Sequence, residues 1–137
     1  MKKIILILIL LPFLGFTQYS SSYKEFNGGL YVGGNDLPVF PGISFLFGKT
    51  NYYSNNLVVD YEIGFALPTI FTGKAGIGLG DQNNATTIGI RPWPTTTFIQ
   101  HVWNEKRLIS IEIMIPHEGN FIAGPDIPLI INYGYRW

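Results

Sequence analysis

Leu57-Val58-Val59-Asp60-Tyr61-Glu62-Ile63-Gly64-Phe65 is the stretch on which the fold of this chain turns. Leu57, Val59, Tyr61, Ile63 and Phe65 occupy alternate positions, with Val58, Asp60, Glu62 and Gly64 between them. Successive side chains of a strand point to opposite faces, whereas a helix returns to one face every three or four residues. The stretch therefore predicts a strand with one unbroken apolar face and an opposite face bearing two carboxylates. Such a strand suits a wall that meets lipid on one side and a polar interior on the other.

The same period of two recurs on either side. Over residues 70–80, Phe71, Ala75, Ile77 and Leu79 oppose Thr72, Lys74, Gly76, Gly78 and Gly80. Over 107–115, Ile109, Ile111, Ile113 and Ile115 oppose Ser110, Glu112 and Met114. Over 129–137, Leu129, Ile131, Tyr133, Tyr135 and Trp137 oppose Ile130, Asn132, Gly134 and Arg136. Residues 85–91 alternate Thr86, Ile88 and Ile90 with Thr87, Gly89 and Arg91. Residues 95–103 form a strand of ambiguous facing, because Phe98 and Ile99 are adjacent and so are Gln100 and His101. Residues 29–34 and 43–48 read as a first hairpin around Pro38 and Pro41.

Short polar turns at 81–84 and 104–106, a Pro-rich turn at 91–95 and a longer connection at 116–128 complete the pattern. No helical period appears after the N-terminus. The expectation is an all-β domain over residues 18–137, an antiparallel up-and-down barrel of eight strands. Eight is the smallest even number in bacterial membrane barrels.

The N-terminus has a different design. Lys2 and Lys3 precede an apolar run from Ile4 to Leu11 that Phe13 to Phe16 extend, and Gly15 and Thr17 supply small residues before Gln18. That order is the order of a secretory signal peptide, here residues 1–17. The run is short for a membrane span, which needs about 20 residues. With no Cys in the chain, neither a lipid-modified cleavage site nor a disulfide is available.

Composition narrows the function classes. The chain has 9 basic and 9 acidic residues; without Lys2 and Lys3 the mature part keeps 7 and 9, a formal charge of −2. Nothing there suits a nucleic-acid partner. Charged residues are 13% and aromatics 15%. A soluble domain usually carries about 25% charged residues, whereas a lipid-facing surface needs few.

The closing run Leu129-Ile-Ile-Asn-Tyr-Gly-Tyr-Arg-Trp137 resembles the terminal strand of bacterial outer-membrane β-barrel proteins, which end in an aromatic residue with apolar or aromatic residues at alternate positions before it. The resemblance is to the class as a whole. It implies a Gram-negative source, residence in outer-membrane lipid, and recognition by the barrel-assembly machinery through Tyr133, Tyr135 and Trp137. Tyr31, Tyr52, Tyr53, Trp93, Trp103 and the three C-terminal aromatics would then form girdles at the membrane interfaces.

On these facings Asp60, Glu62 and Glu112 point inward together with Lys74, Arg91 and Arg136, three acids against three bases. In a barrel of eight strands the interior is just wide enough for side chains, so the expectation is a lumen filled by an ion-pair network. A polar conduit or small-ligand site is the sharper alternative.

Gly73-Lys-Ala-Gly-Ile-Gly-Leu-Gly80 lacks the Gly-Lys-Ser/Thr ending of a phosphate loop. Its alternate glycines read as room for bulky neighbours. His101, His117, Ser110 and Glu112 could in principle supply a nucleophile and a base, as in barrels that acylate or deacylate lipid A, but no tight Ser–His pairing is written in the sequence. His117 and Glu118 are too few for a metal site. No cofactor is expected. The leading expectation is a non-enzymatic barrel with a structural, adhesive or accessory role. A secreted soluble β-sandwich or lipocalin-like binding module is the first alternative, and a lipid A-modifying enzyme is the second.

Overall fold

The computed structural model describes residues 17–32, 39–67, 69–93, 95–115 and 129–137. Residues 1–16 of the expected signal peptide 1–17, and the connection 116–128 with His117 and Glu118, lie outside the described residues. Eight strands follow one another: β1 Thr17–Val32, β2 Val39–Tyr53, β3 Leu57–Leu67, β4 Ile70–Gly80, β5 Asn84–Pro92, β6 Thr95–Trp103, β7 Arg107–Met114 and β8 Leu129–Arg136. Each pairs antiparallel with the next, and β1 pairs with β8, so the sheet closes into an up-and-down barrel. Closure gives every strand a partner on both sides over the shared part of the wall, so no strand is an edge strand there.

The registers drift by about ten residues over one circuit, which tilts the strands by the 35–45° usual for closed barrels. The turns at the end where β1 begins and β8 finishes are tight. Asn56 and Asn104 take φ of 61° and 53° there, the left-handed conformation that Asn tolerates better than most residues.

Facing follows the alternation of the sequence. In β3 the residues Val58, Asp60, Glu62 and Gly64 are buried while Tyr61, Ile63 and Phe65 are exposed. In β7 Ser110, Glu112 and Met114 are buried and Ile109, Ile111 and Ile113 are exposed. The undecided strand β6 turns Thr96, Phe98, Gln100 and Val102 inward and Ile99 and His101 outward. Neighbouring strands decide this: Gln100 lies opposite inward Ser110, and Ile99 lies opposite outward Ile111.

Every strand leaves large apolar side chains exposed on the outside, Phe26, Phe47, Ile63, Ile77, Ile88, Ile99, Ile111 and Ile131 among them. The exposed band far exceeds the few hundred Å² of apolar patch usual on a soluble monomer.

The first hairpin departs from expectation. It runs over 16 and 15 residues, not residues 29–34 and 43–48, and Pro41 lies inside β2, paired with Leu30. β2 meets β3 only from Ile43 onward, so Pro41 needs no N–H on that side. The early part of β1 escaped notice because Ser20, Ser22 and Lys24 alternate with Tyr23, Glu25 and Asn27, giving no apolar face to read.

Inward glycines make room for the lumen side chains. A Cβ on Gly48 would collide with the Tyr23 ring, and one on Gly76 would press on Phe98.

Candidate functional site

The lumen holds one polar network to which all eight strands contribute. Its lower part centres on Arg136 of β8. The Arg136 guanidinium donates from Nε to Glu25 Oε2 at 2.6 Å and from Nη2 to Asp60 Oδ2 at 2.9 Å, and it lies 3.8 Å from Glu62 Oε2. It also covers the Tyr23 ring, 3.9 Å from its centroid. Asp60 further accepts from Thr50 Oγ1 at 2.7 Å and from the Tyr23 hydroxyl at 2.8 Å.

The upper part centres on Glu112 of β7. Its Oε1 accepts from Arg91 Nη2 at 2.8 Å and Asn132 Nδ2 at 2.8 Å, and Oε2 accepts from Thr96 Oγ1 at 3.2 Å. Lys74 joins the two parts, with Nζ 3.3 Å from Glu62 Oε1 and 3.3 Å from Glu112 Oε1. The first of these is an ion pair without hydrogen-bond geometry, because Glu62 Oε1 has no hydrogen-bond donor.

All six charged residues singled out from the sequence, Asp60, Glu62, Lys74, Arg91, Glu112 and Arg136, are thus buried and joined in this network. The sequence reading missed Glu25, which is fully buried and adds a fourth carboxylate against three cations. It also missed Tyr23, Asn27 and Thr50, all buried and facing inward. The signal for Tyr23, Glu25 and Asn27 was the polar alternation in β1, which carries information only once β1 is placed against β8, whereas Thr50 lies on β2.

The acid excess changes the energetics. A buried carboxylate needs either a cation or several donors. The single Tyr23 hydroxyl lies 2.8 Å from Asp60 and 3.1 Å from Glu62, and one proton serves one acceptor at a time. Glu62 is accordingly the least well satisfied acid of the set.

The candidates for chemistry do not come together. Ser110 is buried in the lumen, accepting from Asn132 at 3.1 Å, while His101 faces outward on β6. The outward ring of His101 instead pairs its Nδ1 with Thr86 Oγ1 at 2.8 Å and stacks on Trp103. Neither Thr86 nor Trp103 is an acid that could orient His101, and such an acid is what nucleophilic catalysis by this pair needs. Among the described residues no group of three or more His, Cys, Asp or Glu side chains is arranged to hold a metal. At the end of the barrel nearest Arg136 a cavity of about 30 Å³ opens between Tyr19, Tyr52, Gln82 and Glu105, with Tyr23 and Arg136 in its lining. That is space for a few waters.

The aromatic residues are spread more widely than a pair of girdles requires. Trp103, Tyr135 and Trp137 lie toward the terminal end of the wall, and Trp93 lies at the opposite end. Tyr133 lies mid-strand and faces outward. Tyr52 contributes instead to the cavity lining, because it has the same strand parity as Thr50.

No family model, curated protein or solved structure matches this chain. The functional reading therefore rests on the barrel and its two surfaces.

Proposed function

We propose that this protein is an outer-membrane β-barrel with a structural, adhesive or accessory role rather than an enzymatic one. The observation that carries the reading is the inversion of its surfaces. The four carboxylates on the described strands all point into the lumen, whereas the outer wall exposes apolar side chains on all eight strands. In water such a wall would aggregate; in a bilayer it is what the solvent requires. The lumen is crossed by ion pairs, which supports a packed interior over a conduit and leaves little room for the ligand of a lipocalin-like module.

Fractionation tests the location. The protein is expected in the detergent-requiring envelope fraction, and recovery from the soluble periplasm or medium without detergent would overturn the reading. The mature chain is expected to begin at Gln18, on the small residues Gly15 and Thr17. Mass spectrometry of the envelope-derived protein checks this; a mature chain retaining Met1 contradicts it.

The wall gives a sharper test. Ile111 lies near the middle of β7 and is exposed. Ile111→Arg is expected to lower stability in vesicles by about 2–4 kcal/mol, the cost of a lipid-facing Arg near the bilayer midplane. Thr86→Arg, nearer the strand end, should cost about 1 kcal/mol or less. Equal effects in a urea titration would mean that the wall does not face lipid.

A further inference from the structure

We propose that the outer wall at the terminal end of the barrel binds the phosphate groups of anionic phospholipids through Lys24, Lys49, Lys106 and Arg107. The inference rests on the membrane reading above and goes beyond it by assigning a headgroup class to one arc of one end.

On the described strands, the outward-facing charged side chains are Lys24, Lys49 and Arg107, all basic. Lys24 lies between inward Tyr23 and Glu25, Lys49 between inward Gly48 and Thr50, and Arg107 precedes buried Leu108. Exposed Lys106 adds a fourth cation in the adjoining turn. None of the four is among the ion pairs of the described residues.

The registers bring the four to one level on neighbouring strands. Arg107 lies opposite Tyr135 of β8. The backbone N–H of Arg136 donates to Lys106 O, and Trp137 exchanges two backbone hydrogen bonds with Lys24, both at 3.0 Å. Lys24 lies opposite Phe47, two residues from Lys49 on β2. The cations thus form an arc across β7, β8, β1 and β2, half of the circumference.

Aromatic rings occupy the same level. Trp103 lies opposite Arg107, and the rings of Tyr135 and Trp137 stack 6.3 Å apart. Amphipathic rings settle at the headgroup boundary, which puts neighbouring Lys and Arg side chains within reach of phosphate. Arg offers a fork of donors to a phosphate and Lys a mobile point charge.

The acidic side chains at this end, Asp81 and Glu105, lie in the connections between strands. The Asp81 carboxylate accepts from the Asn83 and Asn84 backbone N–H groups at 2.8 Å, in the β4–β5 turn across the barrel. Glu105 is exposed in the β6–β7 turn beside Lys106 and also lines the cavity over Arg136. The arc therefore carries four basic side chains; even with neighbouring Glu105 and a terminal carboxylate on Trp137 counted against them its net charge is positive, and its complement is a lipid of net negative charge.

Spin-labelled lipids test this with the whole mature barrel folded into phosphatidylcholine vesicles. The association of labelled phosphatidylglycerol is measured against that of labelled phosphatidylcholine. A lipid reaching one cation should prefer the barrel by a factor on the order of five. Averaged over all the boundary lipid, of which the arc touches only half of one leaflet, or about a quarter, the expected preference is about twofold. It should fall to about one in the variant Lys24→Gln/Lys49→Gln/Lys106→Gln/Arg107→Gln and persist in Asp81→Asn. It should also fall toward one for the unaltered protein at about 1 M salt, where screening acts within about 3 Å; this arm holds even if the fourfold variant fails to fold. A preference that survives either treatment, or none in the unaltered protein once folded in the vesicles, overturns the inference and leaves the membrane reading standing. Failure of the unaltered protein to integrate into vesicles at all overturns both.

Discussion

Glu112→Gln is expected to destabilise the folded barrel by about 3–5 kcal/mol, the range for removing one partner of a buried ion pair. Glu112 is the acceptor for Arg91, Asn132 and Thr96 and lies 3.3 Å from Lys74. An amide there can keep one oxygen toward these donors, but its NH2 group must face others; Arg91 loses its counter-charge, and Lys74 keeps only Glu62. Glu62→Gln makes the contrast. Glu62 belongs to the acid-rich part of the lumen, and a Gln there can donate to the Tyr23 hydroxyl oxygen while Asp60 keeps the hydroxyl proton. Its effect is expected to stay within about 1 kcal/mol, in the usual range of one net hydrogen bond. Urea unfolding of both variants in the same vesicles, followed by tryptophan fluorescence, checks the pair. Equal losses would mean that the lumen is wet enough to screen its charges.

The second large effect is expected at Arg136. Arg136→Leu leaves Glu25 and Asp60 without their shared cation, and four buried carboxylates then face Lys74 and Arg91 alone. The loss should again reach about 3–5 kcal/mol. Asp60 keeps donors from Thr50 and Tyr23, whereas Glu25 keeps only Asn27 at 2.6 Å. Adding Glu25→Leu should therefore recover a large part of the loss, since replacing both partners of a buried pair by apolar groups is often neutral. Arg136→Lys should give an intermediate loss, because one ammonium cannot reproduce a fork that serves two carboxylates from different strands. Position 136 adjoins the proposed C-terminal assembly signal, so the measurement uses purified protein refolded in vesicles, which separates stability from assembly in the cell. If Glu25→Leu restores nothing to Arg136→Leu, the assignment of Arg136 as the hub of the lower lumen is wrong.

The alternation in β3, β4, β5, β7 and β8 was enough by itself to determine the fold class and the facing of those strands. Period two has a single structural solution when one face is apolar along its whole length, since a slip of one residue would exchange the two faces. For the same reason the inward placement of Asp60, Glu62, Lys74, Arg91, Glu112 and Arg136 was legible before any pairing was known. The tertiary structure alone decided what is polar on both sides or apolar on both sides. β6, with Phe98 beside Ile99, took its facing from Ser110 and Ile111 across the sheet. β1, with Lys24 and Glu25 side by side, took its facing from closure against β8. Its Lys24 was turned to the outer wall and its Glu25 to Arg136, 111 residues away in sequence. Closure joins the two ends of the chain through backbone hydrogen bonds that any sequence can make, so their register leaves no trace in local composition. That is why the fourth lumen acid and the basic arc on the wall became visible only in the closed barrel.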